Sequence, residues 1–379
     1  MFKNKYSLFL VLIFIISRVC FYLAGGRFDV TTLYHYNQII DPSFLQSQLL
    51  RSIFYLHMQP PFFNFFLGIV LKIFPNGYLF VFTFVYIFLG LVLALSMFRL
   101  MIKMGVKETI AFLLAVYFIL SPSAFFYENL LFYEYPVACF LLLSALFLYK
   151  YFEDHRPRNI FVFVGLTACL VLTREIFSPP WYILIAGVIV FLKKHEMRRI
   201  ILVFGTGLLL IAGVCLKNYI LFKKFSVTSQ MIGYYFAHMV FFGTPTDKIH
   251  ELENAGKISR ITDSEIGDDL KIGMFVYQHI PVKETGVPVL DEFTKPLSGD
   301  PNFNSLYHLL TAQIYFKDTV AVLFNYPQAY WRGIKLAFTF YPFPGPTDMP
   351  MINRPVLEKY ENMYNFMFFH LNQLNNNEL

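Results

Sequence analysis

Seven apolar runs, each followed by a short polar turn, dominate this chain: residues 7–24, 78–98, 109–126, 135–151, 160–173, 177–192 and 200–216. A helix needs about 20 predominantly apolar residues to cross a bilayer, and most of these runs come near that length. A soluble core could not absorb so much apolar surface. The chain is 56% hydrophobic with 15% charged residues and a mean hydropathy of +0.52, against about 25% charged in ordinary soluble domains. The sequence therefore predicts an all-α polytopic membrane protein. The N-terminal run follows Lys3 and Lys5 but lacks a small-residue cleavage site at the usual distance. It reads as a first span rather than a removed signal.

An eighth run, "PPFFNFFLGIVLKIFP" at 60–75, is short, opens on Pro60-Pro61 and contains Asn64 and Lys72. It is expected to lie along the interface as an amphipathic segment. The distribution of basic residues supports that choice. With 60–75 kept out of the membrane, one side's connections collect Lys3, Lys5, Arg99, Lys103, Lys107, Lys150, Arg156, Arg158, Lys193, Lys194, Arg198 and Arg199. The other side's short connections hold only Arg27, Arg51, Lys72 and Arg174. Cytoplasmic loops carry the excess of Lys and Arg, so the N-terminus is expected inside. The net charge of +6 is thereby a topology signal and not a nucleic-acid footprint. Two regions follow. Residues 1–216 form a transmembrane domain with a first outer loop at 25–77. Residues 217–379 form an extracytoplasmic C-terminal region, mixed in charge and rich in turns, whose stretch 330–346 is aromatic and amphipathic.

This topology gathers polar side chains on one face of the membrane. Ionisable residues in or against hydrocarbon are functional candidates by default. Asp29 lies about five residues beyond the first span and could serve as a general base or cap the following helix. Arg18 lies within about two turns of that span's outer end. His57 and Gln59 precede the double proline. Glu128 and Glu134 sit in the aromatic link "SPSAFFYENLLFYEYP" (121–136), suited to binding sugar hydroxyls. Arg174-Glu175 form either a local ion pair or, through Arg174, a phosphate contact, since a guanidinium fork matches phosphate oxygens. Asn218 ends the last span near Lys217, Lys223 and Lys224. The four cysteines, Cys20, Cys139, Cys169 and Cys215, fall in or at the ends of spans, with no CxxC or Cys/His ligand spacing. A divalent metal is compatible with the chemistry, but no ligand motif is seen, and no phosphate-binding glycine loop, HExxH or GxSxG occurs.

The order of these features resembles the GT-C fold glycosyltransferases, the superfamily of protein O-mannosyltransferases and lipid A aminoarabinose transferase, and in particular its bacterial dolichyl-phosphate-mannose-type members. The likeness rests on the acidic first outer loop, "PPFFNFFLGIVLKIFP", "SPSAFFYENLLFYEYP", "GLTACLVLTRE" and "LKNYILFKKF". It covers roughly residues 1–225. It implies a GT-C-like bundle of about seven spans with an interfacial helix in the first outer loop. It also implies a sugar donor carried on polyprenyl phosphate, a glycan, lipid or protein acceptor, and a catalytic acid in the first outer loop. Asp29 matches that position; Val30 follows where many members carry a second acidic residue. The resemblance places Arg18, His57 and Arg174 near the donor phosphate and implies activity in a bacterial inner or plasma membrane, on its extracytoplasmic side. Rival readings are an O-antigen-type polymerase or ligase and a flippase for a lipid-linked sugar.

Overall fold

The computed structural model describes residues 5–229, 231–259, 282–340, 356 and 358–360. Among these residues the secondary structure is helical, with two isolated β-bridges, Asp29 to Leu130 and Thr294 to Pro301. Four helices are long and apolar enough to cross a membrane. They are α1 (Lys5–Leu23), α6 (Tyr78–Lys103), α9 (Glu134–Asp154) and α12 (Met197–Phe222), the last preceded by a 3-10 turn at Lys194–Glu196. Their outer surfaces carry large apolar side chains such as Phe84, Leu209 and Leu210, each more than 60% exposed. Such faces would be prohibitive in water and are at rest in hydrocarbon. The protein is thus an all-α, multi-pass membrane protein.

The third expected span is bent. α7 (Glu108–Ile119) and α8 (Pro122–Glu128) meet at 60° across Leu120 and Ser121. Proline has no N–H to continue a helix but suits its first turn. Pro122 opens α8, and Ser121 caps it through a bond from Ala124 N. Counted as one span, this pair brings the number to five. The fifth and sixth expected spans are the shorter helices α10 (Pro157–Val171) and α11 (Pro179–Leu192).

The first outer loop is a chain of short helices: α2 (Thr31–His35), α3 (Pro42–Ser47), α4 (Leu49–Phe54) and α5 (Pro61–Ile73). Asp41 caps α3, accepting from Ser43 N at 2.8 Å with Pro42 in the first turn. α5 is the segment expected at the interface. Its 13 residues rise about 20 Å, less than the ~30 Å of a hydrocarbon core. After α12 come α13 (Met231–Phe242), α14 (Thr246–Asn254), α15 (Pro288–Asp291), α16 (Leu306–Asn325) and α17 (Gln328–Phe340). The amphipathic stretch 330–346 is helical as far as Phe340; residues 341–346 lie outside the described residues.

One continuous core joins the outer loop to the C-terminal region. It contains Leu33, Leu45, Leu49 and Leu67 from the loop, Phe82 and Tyr86 from α6, Leu130–Tyr133, and Val289, Leu290 and Phe303. Burying a side chain of this size stabilises by about 1.5–3 kcal/mol. The loop is therefore a packed layer and not a loose connection. All four cysteines are unpaired thiols.

Candidate functional site

The link between α8 and α9, residues 128–134, organises the polar end of the bundle. Its stretch Asn129–Leu131 pairs with Asp29 as a parallel bridge. Asp29 N donates to Asn129 O (2.7 Å) and Leu131 N to Asp29 O (2.8 Å). Thr32 Oγ1 donates to Leu131 O. The Asp29 backbone is thereby fixed on both sides. Its side chain is buried, and Oδ1 accepts from Thr31 N at 2.8 Å. Thr31 begins α2, whose N-cap position is Val30 with no side-chain cap. Asp29 stands one residue earlier, so it does not fill the expected N-cap, and its bond to Thr31 N closes a local turn that occupies one carboxylate oxygen.

Glu128 and Glu134, at the two ends of the link, take different arginines. Glu128 forms a two-point pair with Arg18, Nε to Oε1 and Nη2 to Oε2, both 2.7 Å. Its Oε2 also accepts from Tyr135 OH (2.8 Å). Arg18 Nη1 donates to Ile119 O (2.8 Å) and Ser17 Oγ (3.0 Å), and the guanidinium lies 4.0 Å from the Phe14 ring centre and 4.5 Å from that of Phe125. Both side chains are sealed from solvent, at 4% and 0% exposure. A buried charge pair needs further hydrogen bonds to offset its desolvation, and here Ser17, Ile119 and Tyr135 supply them. The pair rests against α6 at Gly90, where a Cβ would stand 2.2 Å from Glu128 Oε2.

Glu134 pairs with Arg174 at 3.0 Å, and both remain partly open to solvent. Arg174 Nη1 donates to Tyr133 OH at 2.6 Å, with the guanidinium 4.7 Å from the centre of that ring. Tyr133 OH is also 3.1 Å from Tyr36 OH and 3.4 Å from Gln38 Oε1, and Gln59 Nε2 donates to Gln38 Oε1. Beside Arg174, Glu175 accepts from Thr228 Oγ1 (2.8 Å), and burial raises its pKa above the usual carboxylate value.

His57 is fully buried. Its Nε2 donates to the Asn304 carbonyl (2.9 Å), which leaves Nδ1 to accept from Ser229 Oγ (2.5 Å). Burial first, and then the nearby Lys217 charge, push its pKa down to about 3. The ring is neutral at physiological pH and ties three chain segments together. Asn218 is likewise buried. Its Nδ2 holds Ser226 O (2.8 Å) and Val227 O (3.1 Å) against the end of α12, where Lys223 takes a left-handed φ of 58°.

Among the residues singled out from the sequence, the structure gathers Asp29, Glu128 and Arg18 around one end of the 128–134 link. It gathers Glu134, Arg174 and, through Tyr133 and Gln38, Gln59 around the other. His57 and Asn218 belong to a separate buried seam against residues 226–229 and 302–304. The sequence did not single out Tyr133, Gln38, Tyr36 or Tyr135 as site residues, because an interfacial aromatic or amide looks the same whether it anchors a helix or bridges a network. Lys295 was missed too. It is buried, donates to Tyr34 O (3.0 Å) and Tyr36 O (2.7 Å), and has its pKa lowered to about 8 by burial. Compared with family models, with curated proteins and with solved structures, the chain matches none.

Proposed function

We propose that the protein is a membrane glycosyltransferase that moves a sugar from a polyprenyl-phosphate donor to an acceptor hydroxyl at the extracytoplasmic face. The observation that carries this reading is the 128–134 link. It fastens the acidic loop at Asp29 on one side and presents a partly exposed guanidinium, Arg174, on the other. In the proposed reaction Asp29 takes the proton of the acceptor hydroxyl as its oxygen attacks the sugar's anomeric carbon. The bond from that carbon to the phosphate oxygen breaks, and polyprenyl phosphate departs with its negative charge stabilised by Arg174. Tyr133, Gln38 and Gln59 would orient sugar hydroxyls, with Glu134 holding Arg174 in place. Arg18 and Glu128 would act by positioning the link, and His57 and Asn218 by holding the C-terminal region against it.

The same proposal includes seven crossings with the N-terminus in the cytoplasm. α10 and α11 have 15 and 14 residues, about 21–22 Å of rise. They would cross where flanking turns and a locally thinned bilayer make up the remainder. α5 would lie in the outer interface.

The test is donor turnover by purified protein, read as released polyprenyl phosphate from candidate polyprenyl-phosphate sugars. Arg174→Ala should weaken donor binding as well as turnover, because it removes a charge-assisted contact. No release from any donor, with folded protein and acceptor present, would end the proposal. A second reading, translocation of the lipid-linked sugar, draws on one observation: the Arg18–Glu128 pair lies against Gly90, the midpoint of α6. It forecasts donor crossing between leaflets of proteoliposomes without cleavage.

A further inference from the structure

At the end of α9 opposite Glu134, two turns that are distant in sequence meet. His155 follows α9 in a left-handed conformation (φ 53°), and His195 and Glu196 lie in the 3-10 turn before α12. We propose that His155, His195 and Glu196 form a binding site for a divalent transition-metal ion of the zinc class, which would clamp the α9–α10 turn to the α11–α12 turn.

Two imidazoles and a carboxylate are a donor set suited to zinc, cobalt or nickel. One ligand atom from each lies within 4.8 Å of the others. His195 Nε2 is 3.5 Å from Glu196 Oε1, close to the edge of about 3.4 Å expected between ligands of a tetrahedral zinc ion. His155 Nδ1 is 2.8 Å from the same oxygen. That contact must open by about half an ångström for an ion to enter, with loss of the proton it carries.

The carboxylate is divided in a way that favours this use. Oε1 faces both imidazoles. Oε2 is held by Tyr151 OH (2.8 Å) and Arg199 Nη1 (3.0 Å). Outer partners of this kind orient a ligating carboxylate. His155 and His195 are exposed, so water can complete the coordination. Two cations stand nearby. Arg199 neutralises only the far oxygen, and Lys193 Nζ, 3.5 Å from His155 Nε2, is at the weak limit of a hydrogen bond and can move into solvent. The site lies at the far end of α9 from Asp29 and Arg174 and plays no part in the proposed transfer.

The test uses full-length, tag-free protein in detergent, stripped with chelator and titrated with Co²⁺ and then Zn²⁺. One equivalent should bind, with the visible absorption of tetrahedral cobalt. His195→Ala and His155→Ala should each weaken binding at least tenfold, and Tyr151→Phe by a smaller factor. Zinc should raise the thermal midpoint of the parent protein and leave that of His195→Ala unmoved. His195 is mostly solvent-exposed, so its replacement leaves the fold intact, which circular dichroism checks. No binding to the folded parent, or an affinity in either histidine variant equal to that of the parent, would overturn the site.

Discussion

Glu128 accepts from three donors and shares its burial with a single cation. Removing it leaves the Arg18 charge uncompensated inside the bundle. Glu128→Ala should therefore destabilise by about 3–5 kcal/mol, whereas the double change Arg18→Met with Glu128→Leu should cost much less, because it removes both charges and fills the volume. Unfolding in mixed micelles measures both. Asp29 poses a different question. Its Oδ1 accepts from Thr31 N, and an asparagine oxygen can do the same. Asp29→Asn should leave stability unchanged. If Asp29 is the base, turnover should fall about 10²–10⁴-fold; a rate within a few-fold of the parent would remove it from the mechanism. His57 predicts a pH response. Its pKa is about 3 when folded, against 6.5 for the free side chain. Between those values the unfolded chain binds the extra proton, so stability is intact above about pH 6.5 and is lost as pH falls toward 3. Proteolysis near residues 226–229 should accelerate over that window, and less so in a His57→Gln variant.

Elements meet here through glycine. At Gly90 any side chain would strike Glu128 Oε2 and Tyr135 OH. In the C-terminal helices the approach is closer still. A Cβ on Gly243 would stand 2.0 Å from Ala329 O, and one on Gly333 would stand 1.9 Å from Met239 O. α13 and α17 thus touch backbone to backbone, the mode that small residues permit between membrane helices. Gly213 in α12 has open space around it. Gly90→Ala and Gly333→Ala should lower the yield of folded protein, while Gly213→Ala should be tolerated. Fluorescence-detected size exclusion compares the three. If Gly333→Ala elutes like the parent with an unchanged melting temperature, α13 and α17 are not in the contact described.

On the scale of the whole molecule, the C-terminal region and the first outer loop form one body. Asn304 Oδ1 accepts from His57 N (2.8 Å), Arg51 Nη2 donates to Gly286 O (2.8 Å), and Lys295 is enclosed by the carbonyls of Tyr34 and Tyr36. A fragment of residues 217–379 loses these partners and exposes the surfaces of Val289, Leu290 and Phe303. It should aggregate when expressed alone; a soluble, cooperatively melting fragment would contradict this. The topology proposal is checked by single cysteines at Lys103, Lys150 and Lys194, expected to label from the cytoplasm, and at Arg51 and Asp291, expected to label from outside. Labelling of Arg51 and Lys103 from the same side would return α5 to the membrane.

The sequence by itself determined the class and the order of elements. Apolar run length acts locally, so α1, α6, α9 and α12 follow from short stretches read alone, whereas the expected single span at 109–126 is broken by the 60° bend between α7 and α8. Asp29, Arg174 and the two glutamates could be picked out for the same reason: a charged group beside hydrocarbon is costly wherever the chain later goes. Partner choice was not legible. Arg18 and Glu128 are separated by 110 positions, and Glu134 meets Arg174 across two helices. His155 joins His195 and Glu196 only because α9 and α12 end at the same level. Those pairings depend on helix lengths, bends and glycine contacts acting together. Only the tertiary structure could decide which charges hold the bundle closed and which, like Arg174, remain open to solvent.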